Sequence, residues 1–284
     1  MQKPQLHYYD LDDNVVAFSS TRHGGYSAGN HGEFNINEHC GDDASAIARN
    51  RQILCEELGV ADGNVIVPHQ THGVEVRQIA ADFLALPLPV RKMILDGVDA
   101  VMTNLENVCV GVSTADCIPI LLSDSRHGAV CAVHAGWRGT LSRVVMRAVT
   151  EMRLAYDTNP TDLKAVIGPG ISLDSFEVGD EVYEAFEQAA FPMEEIAEQR
   201  PNAAFSADPA ERERLAAEGN IVQPLKWHLN LPLCNKQILL HCGVAEENIQ
   251  DCGICTFQHS DEYFSARKLG TESGRIYTAI LLEK

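Results

Sequence analysis

Three segments of the chain place reactive side chains at the ends of apolar runs. They are His-Gln-Thr-His-Gly at 69–73, Ser-Thr-Ala-Asp-Cys at 113–117 and Val-His-Ala-Gly-Trp-Arg-Gly-Thr at 133–140. Strand ends and the loops that follow them commonly present functional groups to a cleft. The side chains in these segments with the strongest metal-binding or nucleophilic chemistry are His72, Cys117 and His134.

One thiolate and two imidazoles form a ligand set that suits a catalytic zinc ion. Such a site uses three protein ligands and keeps a fourth position for water or substrate. The same donors also bind copper. The three side chains are far apart in the sequence, and most histidines and cysteines in proteins are structural. The residues alone therefore leave two interpretations open, a metal centre and an inert group of buried side chains.

Strands and helices that could position these residues are mixed along the whole chain. Apolar runs bounded by turn residues predict strands at Val15–Phe18, Val65–Pro68, Val74–Ile79, Ala100–Thr103, Val108–Thr114, Ile118–Asp124, Ala129–His134, Lys164–Gly168 and Tyr277–Leu282. Helical periodicity predicts helices at Ala44–Leu58, Thr140–Tyr156, Asp180–Ala190 and Leu233–His241. Residues 194–219 lack a strong apolar stripe and are expected to form a solvated excursion.

This pattern places the reactive residues in short connections. Asp116 and Cys117 fall in the tight link between two predicted strands, and His134 lies at a strand end. The Gly-Trp-Arg-Gly turn at 136–139 then joins a strand to a helix, a junction whose backbone amides can receive an anion. Asp116 has two possible roles here: it either supports the centre as a carboxylate or proton carrier, or caps the turn.

Composition and charge exclude several classes of protein. With 284 residues, 45% of them apolar, the chain can bury a large core, and we expect one domain over 1–284. A net charge of −18 argues against a nucleic acid or an anionic membrane as partner. An anionic substrate must then be bound by local arginines, for which Arg22, Arg138 and Arg267 are the candidates.

The nine cysteines are odd in number and scattered, which is not the pattern of a secreted disulfide framework. No stretch approaches the roughly 20 apolar residues of a membrane span, and the first residues lack the apolar core of a signal peptide. We therefore expect a cytoplasmic protein with reduced thiols.

Beyond these patterns, the chain resembles a bacterial family in most of its length. The matching motifs include FSSTRHGGYS at 18–27, FNINEHCGDD at 34–43, HQTHG at 69–73, DGVDAVMT at 96–103, TADCIPILL at 114–122, VHAGWRGT at 133–140 and FEVGDEV at 176–182. The family is known as multicopper polyphenol oxidase or laccase-domain proteins and also as peptidoglycan editing factor. Purine nucleoside phosphorylase activity is attributed to it.

The resemblance implies a fold, a metal and an activity. The implied fold is α/β (α+β), with a central β-sandwich of mixed sheets flanked by helices. His72, Cys117 and His134 match the residues that hold zinc in the family, and they become the expected catalytic and metal-binding residues. The implied function is a zinc-dependent purine nucleoside phosphorylase with adenosine deaminase activity, acting on adenosine, inosine and methylthioadenosine.

The two implied reactions make different demands on the site. Deamination needs activated water at C6 of the purine, which a zinc ion can provide. Phosphorolysis needs an oriented phosphate. Arg138 is the first candidate for binding it, and Arg22 and Arg267 are the next candidates.

Two other functions remain as alternatives. Cys117 as nucleophile and His134 as base would make a cysteine-type hydrolase that edits a peptidoglycan precursor. A copper-dependent polyphenol oxidase is less well supported, because multicopper sites rely on His-x-His pairs and none of the eleven histidines is two residues from another. The sequence does not indicate the oligomeric state.

Overall fold

The computed structural model describes residues 2–202, 205, 209–217 and 223–283. The chain forms two compact units. The first contains the residues up to Ile171 and those from Leu231 onward, and the second is Ser172–Asn230. All three reactive residues belong to the first unit.

Strands and helices alternate through both units, as the sequence predicts. The strands are β1 Leu6–Tyr9, β2 Val15–Ser20, β3 Val65–Ile66, β4 Val76–Gln78, β5 Ala100–Thr103, β6 Cys109–Thr114, β7 Ile118–Asp124, β8 Ala129–Ala135, β9 Lys164–Ile167, β10 Glu177–Val178, β11 Ala197–Pro201, β12 Leu225–Leu229, β13 Ile249–Asp251 and β14 Ile276–Leu282. The helices are α1 Ala44–Leu58, α2 Ala81–Ala85, α3 Leu88–Ile94, α4 Trp137–Leu141, α5 Val144–Tyr156, α6 Asp180–Gln188, α7 Met193–Ile196, α8 Pro209–Ala217, α9 Leu231–His241 and α10 Ala266–Leu269.

Two mixed sheets form the centre of the first unit. One has five strands in the order β1-β2-β14-β6-β3, and the other has six in the order β13-β9-β7-β8-β5-β4. Parallel pairing occurs at β3–β6, β4–β5 and β9–β13, and the remaining pairs are antiparallel. Because both sheets contain both kinds of pairing, the predicted mixed-sheet fold class is confirmed.

The two sheets pack face to face around an apolar core. Val112 from one sheet and Leu121 and Val130 from the other lie in this core and are fully buried. Helix α1 covers the outer face of the five-stranded sheet, where Leu54 packs near Phe18. On the six-stranded sheet, α5 packs against β8. This arrangement is the helix-flanked β-sandwich that the resemblance implies.

Burial on both faces explains why the central strands are apolar runs rather than alternating patterns. Every residue of β6, β7 and β8 is buried. Strands covered on both faces read as continuous hydrophobic segments, so they could be recognised in the sequence. The hairpin of β7 and β8 positions two of the three reactive side chains, His134 within β8 and Cys117 directly before β7.

The second unit is built on a three-stranded antiparallel sheet with β12 between β10 and β11. Trp227 on β12 stacks on Tyr183 of α6, with ring centroids 3.8 Å apart. The expected solvated excursion at 194–219 was wrong in part, because Ala197–Pro201 pairs with β12 along its length. Residues 203–204, 206–208 and 218–219 of that stretch lie outside the described residues.

Within the residues that the structure describes, no helix is both long enough and apolar enough to span a membrane.

Candidate metal centre

The β7–β8 hairpin brings Cys117 and His134 together although they are distant in the sequence. In the antiparallel register, Ile118 pairs with Ala135 and Pro119 pairs with His134. Cys117 precedes Ile118 and therefore lies diagonally across from His134. The long side chain of His134 can reach it across this diagonal. Their separation along the chain is simply the length of the hairpin.

A buried carboxylate links this hairpin to the third residue, His72. The β5–β8 register pairs Ala100 with Val133, which places Asp99 directly opposite His134. Asp99 is fully buried, and its Oδ1 accepts a hydrogen bond from His134 Nδ1 at 2.7 Å. The imidazole is thus fixed in one orientation, with Nε2 left for the centre.

The same carboxylate holds the loop that carries His72. The backbone N–H groups of Thr71, His72 and Gly73 all donate to Asp99, at 3.3, 3.0 and 2.7 Å. His72 has a φ of 64°, in the left-handed region that non-glycine residues rarely adopt. Three successive amides turned toward one anion stabilise such a backbone conformation. Asp99 therefore sets the position of both histidines.

Gln70 ties this loop to the strand that leads to Cys117. Its Nε2 donates to Ser113 O, and its Oε1 accepts from Ser113 N–H, both at 2.8 Å. The side chain thus pairs with the end of β6 as a neighbouring strand would. Gln70 and Asp99 together anchor the His72 loop from two sides.

These supports bring three donor atoms into one small volume. One ligand atom from each of His72, Cys117 and His134 lies within 4.8 Å of the other two. The imidazole rings of His72 and His134 are 4.9 Å apart between centroids and meet edge to face. Among the described residues, this is the one cluster of three or more His, Cys, Asp or Glu side chains close enough to hold a metal ion.

The electrostatics of the site favour anionic forms of Cys117 and Asp99. Burial lowers the pKa of the His134 imidazole, but Cys117 and Asp99 outweigh it and raise that pKa to about 9, so a metal ion must displace a proton from this ring. Burial raises the pKa of the Cys117 thiol, but the charges and hydrogen bonds of His134 and His72 outweigh it and lower the pKa to about 6. Burial also raises the pKa of the Asp99 carboxyl, and its hydrogen bonds from His134 and the loop amides bring that pKa below its ordinary value. A thiolate beside an ionised carboxylate is suited to a cation.

Gly136 leaves the space into which the ligands converge. It follows Ala135, the partner of Ile118, and so lies opposite Cys117 when the register is continued. A Cβ added at Gly136 would come within 2.9 Å of both Cys117 Sγ and His72 Cδ2. The donor set of one thiolate and two imidazoles is of a type that holds metal ions such as zinc, so the residues present fit a metal site.

Asp116 holds the other side of the connection that carries Cys117. Its Oδ1 accepts from Thr256 Oγ1 at 2.8 Å, and its Oδ2 accepts from the backbone N–H of Arg267 at 2.6 Å. The carboxylate that supports an imidazole is Asp99 and not Asp116. Through these two hydrogen bonds, Asp116 connects the segment from Thr256 to Arg267 with the turn before β7.

The three arginines expected to bind phosphate have different environments. Arg138 is exposed, and its guanidinium lies 4.2 Å from the ring centroid of Trp137 at the start of α4. Arg22 donates to the carbonyl oxygens of Gly32 and Ser260, at 3.0 and 2.7 Å. Arg267 is exposed. Arg138 lies four residues after His134. The guanidinium of Arg22 links the loop at Gly32 to the loop at Ser260 through its two hydrogen bonds.

Comparison with known proteins identifies the family of the chain. Residues 16–283 match the family model described as multi-copper polyphenol oxidoreductase laccase. The chain belongs to this family. A protein from Bacteroides thetaiotaomicron named purine nucleoside phosphorylase is 37% identical over 99% of this chain and 97% of its own length.

Two further relatives extend the comparison. A prokaryotic protein named adenosine deaminase RL5 is 37% identical, over 94% of each chain. The crystal structure of YlmD from Geobacillus stearothermophilus is similar with a TM-score of 0.78 and 25% identity, covering 96% of this chain and 93% of that one. The family resemblance found in the sequence motifs is confirmed.

The sequence predicted the three donors but missed Asp99 and Gly136 as parts of the site. Both lie in quoted motifs, DGVDAVMT and VHAGWRGT, yet neither type of residue is diagnostic alone. A signal was present for Asp99, because an acidic residue directly before the buried strand Ala100–Thr103 must find hydrogen-bond donors inside the protein.

Proposed function

We propose that this chain is a zinc-dependent purine nucleoside phosphorylase with adenosine deaminase activity, acting on adenosine, inosine and methylthioadenosine. The observation that carries the proposal is the convergence of His72, Cys117 and His134 in a family member whose relatives bear these two enzyme names. In phosphorolysis, phosphate displaces the base from the sugar and the free purine leaves. In deamination, water replaces the amino group at C6 and ammonia leaves.

The proposed roles of the residues follow from their contacts. His72, Cys117 and His134 would hold zinc, which supplies Lewis-acid chemistry and activates water when bound. Zinc is proposed over copper because three protein ligands that leave one position open are typical of catalytic zinc, and because the chain has none of the His-x-His pairs on which multicopper clusters rely. Asp99 keeps the proton of His134 on Nδ1, so that Nε2 stays available as a donor atom.

We propose Arg138 as the residue that holds phosphate. It is exposed and lies in the short helix α4, which begins two residues after β8, the strand that ends with His134 and Ala135. Stacking on Trp137 limits the freedom of its guanidinium, which reduces the entropy lost when an anion binds. Arg267 is the second candidate. Arg22 is the third, because it already donates two hydrogen bonds to backbone carbonyls.

The proposal also covers location and organisation. All nine cysteines are free thiols, which is consistent with the reducing cytoplasm, where nucleosides and phosphate are available. The family match runs from residue 16 to 283 and so includes both compact units. We therefore propose that residues 1–284 act as one domain.

A product assay tests the function. The zinc-loaded protein is incubated with adenosine, inosine or methylthioadenosine, with and without phosphate, and the products are separated by chromatography. We expect free base only when phosphate is present, and inosine from adenosine in its absence. Cys117→Ala should lower both rates at least about 100-fold, since it removes a metal ligand. Cys242→Ala, at a half-exposed cysteine outside the centre, is the control.

Two outcomes would contradict the proposal. Full turnover by Cys117→Ala would show that the centre does not carry the chemistry. Absence of reaction with every nucleoside, together with cleavage of a peptidoglycan precursor, would assign the protein to the alternative function.

The alternative, a cysteine-type hydrolase, is favoured by one specific observation. Cys117, His134 and Asp99 form a chain of hydrogen bonds, and nucleophile, base and orienting carboxylate follow one another as in cysteine hydrolases. The metal centre and the nucleophilic triad therefore share Cys117 and His134, and they differ in what Cys117 Sγ contacts.

Alkylation of Cys117 separates the two functions. We expect the zinc-loaded protein to resist iodoacetamide at Cys117 and to react there only after a chelator removes the metal, since a coordinated thiolate is protected. Mass spectrometry of the peptide reports the modified fraction, and Cys242 serves as the internal reference. Rapid alkylation of the zinc-loaded protein at Cys117, unaffected by the chelator, would favour the hydrolase.

A further inference from the structure

The backbone directly before Cys117 adopts an unusual conformation. Asp116 has a φ of 87°, a positive value that residues other than glycine rarely adopt. Such a conformation raises the energy of the chain and persists where surrounding contacts enforce it, which is common at functional sites. Since β7 begins one residue after Cys117, the turn at Asp116 sets the direction in which the Cys117 side chain points.

The segment that follows β9 holds the backbone of this turn. The carbonyl oxygen of Asp116 accepts a hydrogen bond from the backbone N–H of Ile171 at 2.8 Å. A Cβ added at Gly170 would lie 3.2 Å from Asp116 O and 3.3 Å from Cys117 O. A glycine at this position therefore lets the segment pack closely on the peptide that joins Asp116 to Cys117.

The side chain of Asp116 holds the turn through a different part of the chain. Its two carboxylate oxygens accept from the Thr256 hydroxyl at 2.8 Å and from the Arg267 backbone N–H at 2.6 Å. Thr256 is fully buried, and its own backbone N–H donates to Gly170 O at 3.0 Å. The C-terminal segment is thus hydrogen-bonded both to the turn and to the segment that packs on it.

We propose that Asp116 is a positioning residue for the metal centre, because its side-chain hydrogen bonds keep the turn in a conformation that points Cys117 Sγ toward the two histidines. The hydrogen bonds carry this role, and the negative charge does not. A proton carrier must reach the reacting atoms, whereas both oxygens of Asp116 accept hydrogen bonds from the C-terminal segment. The inference rests on the metal centre of the proposed function.

Three variants of Asp116 separate hydrogen bonding from charge and from backbone strain. Asparagine tolerates a positive φ and can keep both contacts, since its oxygen accepts from the Arg267 N–H and its NH₂ group donates to the Thr256 hydroxyl oxygen. Glycine tolerates the φ but has no side chain, and alanine lacks both properties. We expect the zinc affinity of Asp116→Asn to stay within about threefold of native, and that of Asp116→Gly and Asp116→Ala to fall about 10- to 100-fold.

Two measurements on the full chain report the effect. Chelator competition gives the zinc affinity, and the thiolate-to-metal charge-transfer absorption of the cobalt(II)-loaded chain shows whether Cys117 Sγ is still a ligand. We expect this absorption to be retained in Asp116→Asn and reduced in Asp116→Gly.

A matched pair of threonine variants tests the connection to the C-terminal segment. Thr256→Val loses only the hydroxyl and should weaken zinc binding about three- to tenfold. Thr103→Val removes an equally buried hydroxyl, which donates to Ile79 O at 2.7 Å, and should lower the unfolding temperature while zinc affinity stays native.

Native zinc affinity in a folded Asp116→Gly or Thr256→Val protein would overturn the positioning role. An equal loss in Asp116→Asn and Asp116→Gly would assign the effect to the charge and would overturn it as well. If the native chain binds neither metal, the metal centre is wrong and this inference fails with it. Metal binding by the native chain together with unaffected variants removes this inference alone.

Discussion

Replacing Gly136 with alanine is expected to lower zinc affinity and turnover by about 100-fold, since displacement of reactive groups by about 1 Å can have that effect. The backbone at Gly136, with φ −68° and ψ 173°, suits any residue, so the methyl group causes no conformational strain. It would instead lie 2.9 Å from Cys117 Sγ and from His72 Cδ2, closer than such atoms approach. Two of the three ligands must then move away from their shared point.

The measurement is a zinc competition titration with a chromophoric chelator, combined with thermal unfolding of the metal-free protein. Gly63→Ala is the matched control, because its φ is not positive and an added Cβ meets its nearest neighbour, Arg91 Nη1, at an ordinary 3.5 Å. We expect the control to keep native zinc affinity. Native affinity in Gly136→Ala as well would mean that the three side chains do not close around an ion at this position.

The sequence predicted the central strands and the three side chains that converge in the candidate metal centre, for physical reasons that can be named. Strands buried on both faces, such as β7, are continuous apolar runs and were found within a few residues of their true ends. Helix α1 was predicted at its observed bounds, because Asp43 caps its first turn and Gly59 ends it in a left-handed conformation.

Elements whose stability comes from distant parts of the chain were missed. Strand β13 lies at the edge of the six-stranded sheet, where it pairs with β9. It shows no apolar run, so nothing local in the sequence indicates it. The helix predicted over Thr140–Tyr156 is divided into α4 and α5 at Arg143, which adopts a φ of 60°. An arginine in the sequence does not indicate that a helix is interrupted at that residue.

The same distinction applies to the candidate site. His72, Cys117 and His134 were recognisable by residue type, since few other side chains bind zinc. Asp99 supports them through a cross-strand register and a loop conformation, both of which are properties of the folded chain. Positioning groups of this kind are visible only once the sheet is known.

Asp99→Asn is therefore the sharpest test of how the centre is held. The native carboxylate accepts from His134 and His72 on one oxygen and from Thr71 and Gly73 on the other. An asparagine amide has a single oxygen, and in either orientation its NH₂ group faces N–H donors. We expect zinc affinity and turnover to fall about 10- to 100-fold, as is usual when a partner of a metal-binding histidine is lost. Each unsatisfied buried donor should also lower the free energy of unfolding by about 1–3 kcal/mol.

A second aspartate–histidine pair, in which the aspartate is buried and the histidine exposed, provides the control that separates support of the metal from general stability. Asp124, fully buried at the end of β7, accepts from His127 Nδ1 at 2.8 Å and from its backbone N–H at 3.2 Å. Asp124→Asn should lower the unfolding temperature comparably but leave zinc affinity unchanged. If both variants lose stability and both keep native zinc affinity, Asp99 only stabilises the fold. Loss of affinity in Asp99→Asn alone is the result expected if His72 and His134 must be oriented before they can share an ion.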